Sequence, residues 1–177
     1  MQEDALRERG TNAEDSVSGS SEEIVDAMRS RVTELIDHYR AALQSSLDGL
    51  TEDEAKTRLV PSKTTLLGLV KHATYLEGFY FNRALTNRSF ADIGIASTPD
   101  RSFTVTKADT IASVQQAYER RCQESRERIA ELTFDASVHG DKPRAVWAIH
   151  LQMLRELAQH TGHADILREQ VLDRRPR

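Results

Sequence analysis

Apolar residues recur at every third or fourth position through four long stretches of this 177-residue chain. That spacing is the period of a single helical face. The first stretch carries Ile24, Met28, Val32, Leu35, Ile36, Tyr39 and Leu43. Ser20-Ser-Glu-Glu23 ahead of it has the form of a capping box. A helix is therefore expected from there to about Leu47, with Gly49 suited to a left-handed cap. The second stretch runs from about Thr64 to Leu85, capped by Ser62 or Thr64, with a broad apolar face that includes His72. The third follows the capping pattern Thr106-Lys-Ala-Asp109 and reaches about Leu132. The fourth runs from Pro143, tolerated in a first helical turn, to about Leu172. Gly162 interrupts it mildly, at about 1 kcal/mol relative to alanine. Four helices of similar length around one core predict an all-α four-helix bundle, a single domain over residues 21–173.

The connections are less regular. Residues 1–20 are polar and aperiodic and are expected to be a disordered tail. Thr51 to Arg58 reads as a short helix, and residues 133–142 as a turn. Residues 86–105 look irregular, and a connection that long is commonly functional or crosses a bundle.

Composition narrows the class. A net charge of −4 argues against a nucleic-acid partner, since such proteins usually carry a basic surface. No apolar run reaches the length that spans a bilayer, and the N-terminus lacks a secretory h-region. The single cysteine, Cys122, excludes an intramolecular disulfide and a cysteine-rich zinc site. A cytoplasmic protein is expected.

The chemistry-bearing residues lie mostly in the fourth helix. Glu156, His160 and His163 occupy one narrow stripe, His160 about 40° round the helix from Glu156 and His163 about 20° the other way. Glu156 and His163 are about 10 Å apart along the axis, too far to share one ion. The chelating pair is thus Glu156/His160 or His160/His163, with His160 common to both. His72, among Leu69, Leu76 and Phe79, is the natural third donor from another helix. Two histidines and a glutamate leave a coordination position open, the catalytic pattern, and suit zinc best, with nickel, iron or manganese as alternatives. Against this stands the plain reading of core histidines and a surface ion pair. His150 lies off the stripe and reads as a core residue, whereas His38 and His139 read as surface or turn residues. Cys122 reads as a small buried apolar residue. No nucleophile-elbow or phosphate-loop pattern occurs, so no catalytic residue is assigned. Lys71, Arg83 and Arg155 are candidates to bind an anionic substrate.

Leu59-Val-Pro-Ser-Lys-Thr-Thr-Leu-Leu-Gly-Leu-Val-Lys-His72 and Tyr75-Leu-Glu-Gly-Phe-Tyr-Phe81 resemble the DinB-like superfamily, in particular its DUF664 branch. Trp147-Ala-Ile-His150 and His160-Thr-Gly-His163-Ala-Asp165-Ile-Leu-Arg-Glu169 match the C-terminal signature of that branch. The resemblance implies a four-helix bundle with a divalent metal held by one histidine of the second helix and a His-x3-His pair of the last. In related mycothiol-dependent maleylpyruvate isomerases the pair becomes Glu-x3-His. Carried over, the ligands are His72, Glu156 and His160, with His163 as a fourth ligand or substrate-facing neighbour. Asp165, on the opposite side of the helix from Glu156, reads as a surface carboxylate. Relatives that act on low-molecular-weight thiols, bacillithiol or mycothiol, imply a metal-dependent thiol S-transferase or isomerase with a small-molecule substrate. The other expectation is a non-catalytic, stress-associated helical module with a structural or relic metal. It would be a homodimer joined through exposed apolar residues of the first helix or the 86–105 segment.

Overall fold

The computed structural model describes residues 20–176, so the tail expected before Ser20 lies outside the described residues. Helix α1 spans Ser21–Ser45. Its capping box is formed, with Glu23 N donating to Ser20 Oγ and Ser20 N to Glu23 Oε2. Such a cap is worth about 1 kcal/mol. Gly49 adopts φ 69° and ends the turn after α1. A short helix α2, Glu52–Lys56, follows as expected.

Helix α3 is Leu66–Gly78, continued by a π-helical turn, Phe79–Arg83, and a last turn α4, Ala84–Thr86. Its cap is Thr65, one residue beyond the expected Ser62 or Thr64. The connection from Asn87 contains two single-turn helices, α5 (Phe90–Ile93) and α6 (Pro99–Ser102). Helix α7 is Ile111–Ala130, capped by Thr110. Thr106 and Asp109 do bond to each other, but they close a turn before the helix. Asp109 is held there because its Oδ2 also accepts from Lys71 Nζ on α3, at 2.8 Å.

Helix α8 is Val146–Asp173. Pro143 is not in its first turn. Strands β1 (Ser137–His139) and β2 (Pro143–Ala145) pair antiparallel, with His139 opposite Pro143. The segment expected to be a simple turn is a small hairpin, and the helix starts after it. Its tip presses on α4, where a Cβ on Gly140 would lie 2.1 Å from the Ala84 carbonyl oxygen. That docking is a tertiary contact with no local signature.

Cross-helix bonds give the directions. Gln115 of α7 reaches the Gln44 carbonyl, and Arg29 of α1 reaches the Ile129 carbonyl, so α1 and α7 are antiparallel. Arg168 of α8 bonds the Ser46 carbonyl at the end of α1, so α1 and α8 run parallel. His72 and Phe81 of the α3 segment meet His160 and His150 of α8, an antiparallel pair. Hence α3 and α7 run the same way. The chain between them must return along the bundle, which is why residues 87–110 are long.

The core is built from Ile36 and Leu43 of α1, Leu69 and Leu76 of α3, Tyr118 of α7, and Met153 and Leu157 of α8. Inside it, the Arg40 guanidinium donates to both carboxylate oxygens of Glu77, at 2.8 and 2.7 Å. Burial works against this cation, but the Glu77 carboxylate outweighs it and holds the Arg40 pKa above its ordinary value. Asp37 joins the network, accepting from Arg40 and Arg126.

Candidate metal and thiol site

The antiparallel meeting of α3 and α8 brings His72 and His160 together. Their ring centroids are 4.7 Å apart and the planes nearly perpendicular, at 83°. Both side chains are buried. One turn before His160, Glu156 places Oε2 3.6 Å from His160 Nε2. That is too long for a hydrogen bond. It is close to the spacing of about 3.4 Å between two donors each about 2.1 Å from one tetrahedral ion. The other oxygen of Glu156 is anchored, accepting from Gln152 Nε2 at 2.8 Å and Arg155 Nη2 at 2.9 Å. His163 lies one turn on, its ring 5.7 Å from that of His160, and is exposed.

Both buried histidines are held neutral. Burial, with His160 adding to it, pushes His72 down to about 3. Burial also lowers His160, partly offset by the Glu156 carboxylate and reinforced by His163. A neutral imidazole keeps a lone pair, the form that binds metals. His160 Nδ1 is buried without a hydrogen-bond partner. With Nε2 as the ligand atom toward Glu156, Nδ1 carries the ring proton and wants an acceptor such as a water. The donor set is thus of the right kind for a divalent metal. Among the described residues, however, no group of three or more His, Cys, Asp or Glu side chains is drawn together as a formed metal cage.

The remaining candidates separate cleanly. His150 is a core residue, bonded through Nδ1 to the Val146 carbonyl at 2.9 Å and flanked by Phe81 and Phe134. His38, His139 and Asp165 are exposed. Cys122 is buried, and burial together with Glu77 pushes its thiol far above the ordinary range. Lys71 is occupied by the Thr104 carbonyl and Asp109, and Arg83 by the Arg88 carbonyl and the Phe90 ring. Only Arg155 of the three cations stands beside the site.

Sequence reasoning missed two residues at His72. Ser102 Oγ lies 2.7 Å from His72 Nδ1, and the Phe103 ring stacks on the imidazole at a centroid distance of 3.9 Å. They lie on the strap that follows α5, in the segment read as irregular. Two cavities adjoin this strap. One of about 280 Å³ is lined by Ser102 with Tyr75 and Ile95, and one of about 610 Å³ by Phe103 with Lys56, Arg58, Lys63 and Lys107.

A family model described as mycothiol-S-transferase matches residues 31–173, most of the chain, from the middle of α1 to the end of α8. The chain belongs to the mycothiol-S-transferase family. This is a DinB-like family, in keeping with the resemblance carried by the His72 and His160 motifs. No curated protein matches the chain. Membership implies a thiol S-transferase type of activity on a small-molecule substrate, and the family is associated with mycothiol and metal-dependent chemistry. Among the described residues no helix is long and apolar enough to cross a membrane.

Proposed function

We propose that this protein is a divalent-metal-dependent thiol S-transferase whose ion is held by His72, Glu156 and His160. The observation that carries this reading is the juxtaposition of two neutral buried imidazoles from facing helices with an anchored carboxylate whose Oε2 lies 3.6 Å from His160 Nε2. Zinc is the best match to two nitrogens and one oxygen. When bound, such an ion lowers the pKa of a thiol and holds its sulfur as thiolate. The chain's one thiol, Cys122, is buried and held protonated, so the reacting sulfur must come from a small thiol such as mycothiol. Glu156 faces the ion site through Oε2 while Gln152 and Arg155 fix its other oxygen. His163, exposed one turn from His160, would meet the thiol or the acceptor, or serve as a fourth ligand.

Metal analysis of untagged protein tests the reading. About one equivalent of zinc is expected, falling below a tenth in the His72→Ala/His160→Ala double variant. Mycothiol consumption against a panel of electrophiles should then disappear on chelation and return with zinc. Less than a tenth of an equivalent in the wild type, after incubation with zinc, sinks the proposal.

A second reading is supported by a surface. Met28 is 57% exposed on α1, and Trp147 and Leu151 are 47% and 46% exposed on α8. The parallel packing of the two helices puts these residues at the same height. Exposed apolar residues at one level of two neighbouring helices suit pairing with a second copy of the chain. Light scattering on wild type and Trp147→Glu separates the cases. A dimer that becomes monomeric, with no turnover across the panel, favours a dimerising module over an enzyme.

A further inference from the structure

The geometry assigns Ser102 as the positioning residue that fixes His72 with its proton on Nδ1, leaving the Nε2 lone pair free for a metal ion. This rests on the metal-site reading above and names the group that prepares one of its ligands.

The assignment follows from counting protons. Ser102 Oγ lies 2.5 Å from the Pro99 carbonyl oxygen, which can only accept. The hydroxyl proton is therefore spent on Pro99. Toward His72 Nδ1, at 2.7 Å, the Ser102 oxygen can then only accept, so Nδ1 carries the hydrogen. A neutral imidazole has one ring proton, and with that proton on Nδ1, Nε2 holds a lone pair. Among the described residues no hydrogen bond engages His72 Nε2.

The donor chain is built into the fold. Ser102 is buried at the end of α6, and Phe103, next in sequence, lies flat on the imidazole at an interplanar angle of 15°. Gly68, one turn before His72, lets the strap come this close, since a Cβ there would lie 3.0 Å from the Phe103 carbonyl oxygen. Lys63 pairs with Asp100 on one side of Ser102, and Lys71 Nζ bonds the Thr104 carbonyl at 2.8 Å on the other. The serine is thus clamped from both ends, and the ring is fixed in rotation and in tautomer. A fixed outer partner of this kind typically contributes 10- to 100-fold in metal affinity.

The experiment uses the full chain, metal-free and zinc-loaded, as wild type, Ser102→Ala and Ser102→Thr. Nitrogen-15 chemical shifts of His72 in the metal-free protein should show a protonated Nδ1 and an unprotonated Nε2. In Ser102→Ala the two nitrogens should move toward averaged values, and zinc affinity by competition with a chelating dye should weaken about 10- to 100-fold. Ser102→Thr keeps the hydroxyl and should restore both. A wild-type His72 protonated on Nε2 overturns the assignment, as does a Ser102→Ala protein with unchanged shifts. The shifts are read without metal, so they judge Ser102 separately. Wild-type protein that takes up no zinc overturns the proposed function instead.

Discussion

Arg40 and Glu77 show how much a single residue can decide here. Both are charged, yet the Arg40 side chain is 5% exposed and that of Glu77 fully buried. Each is compensated by the other, and Arg40 also by Asp37. Removing one partner strands the other charge in the core. Glu77→Ala should cost about 3–5 kcal/mol in denaturant unfolding, whereas Arg40→Met with Glu77→Leu should recover most of that loss. A double variant as unstable as the single one would contradict this. The pair leaves a faint trace in the sequence. Arg40 falls on the apolar stripe of α1, four residues after Ile36, and Glu77 follows Leu76 on the crowded helix α3. The partnership itself, across 37 positions, has no local signal. His72 and His160 were legible because a histidine on an apolar face departs from its surroundings. Ser102 was not, because serines are common in loops and only the fold sets this one against an imidazole.

At the scale of elements, the four long helices follow from periodicity, and capping chemistry places the start of α1. The expected starts of α7 and α8 are displaced for one reason. The residues that look like caps or first-turn residues are used by tertiary contacts instead. Asp109 is drawn to Lys71, and the residues before α8 form a hairpin docked on α4. The strap over His72 depends on the same kind of contact. Gly68→Ala gains helix propensity but drives a methyl to 3.0 Å from both the Phe103 carbonyl oxygen and the capping Thr65 Oγ1. Thr65 Oγ1 is tied to Gly68 N and the other contact is backbone, so neither gives way freely and the net effect should be a loss of about 1–3 kcal/mol. Faster amide exchange in residues 102–105 should accompany it, and unchanged exchange would show that the strap yields without cost.

The whole molecule carries a pH signature. Burial lowers the pKa of His150, although its bond to the Val146 carbonyl opposes this, and the same direction holds for His72 and His160. Below the ordinary histidine value of about 6.5 the unfolded chain binds protons that the folded chain refuses. Stability is therefore full above that pH and falls as pH drops through it. For one histidine held neutral throughout, the loss by pH 5 is about 2 kcal/mol. The chelator-treated protein should lose stability between pH 7 and 5, and His150→Asn should flatten that slope whatever its own stability. An unaltered slope would show that His150 titrates alike in both states.

What the amino-acid sequence determined by itself is everything that repeats along one helix: an all-α chain, four long helices, and a Glu156/His160 pair on one stripe. These follow from local geometry, because side chains three and four apart share a face. The tertiary structure alone decided how the helices face one another. It sets α3 and α7 parallel, which forces a long return connection, and that connection carries Ser102 and Phe103 onto His72. Contacts between residues 30 positions apart depend on helix direction and packing. Neither quantity is written in the spacing of any one segment.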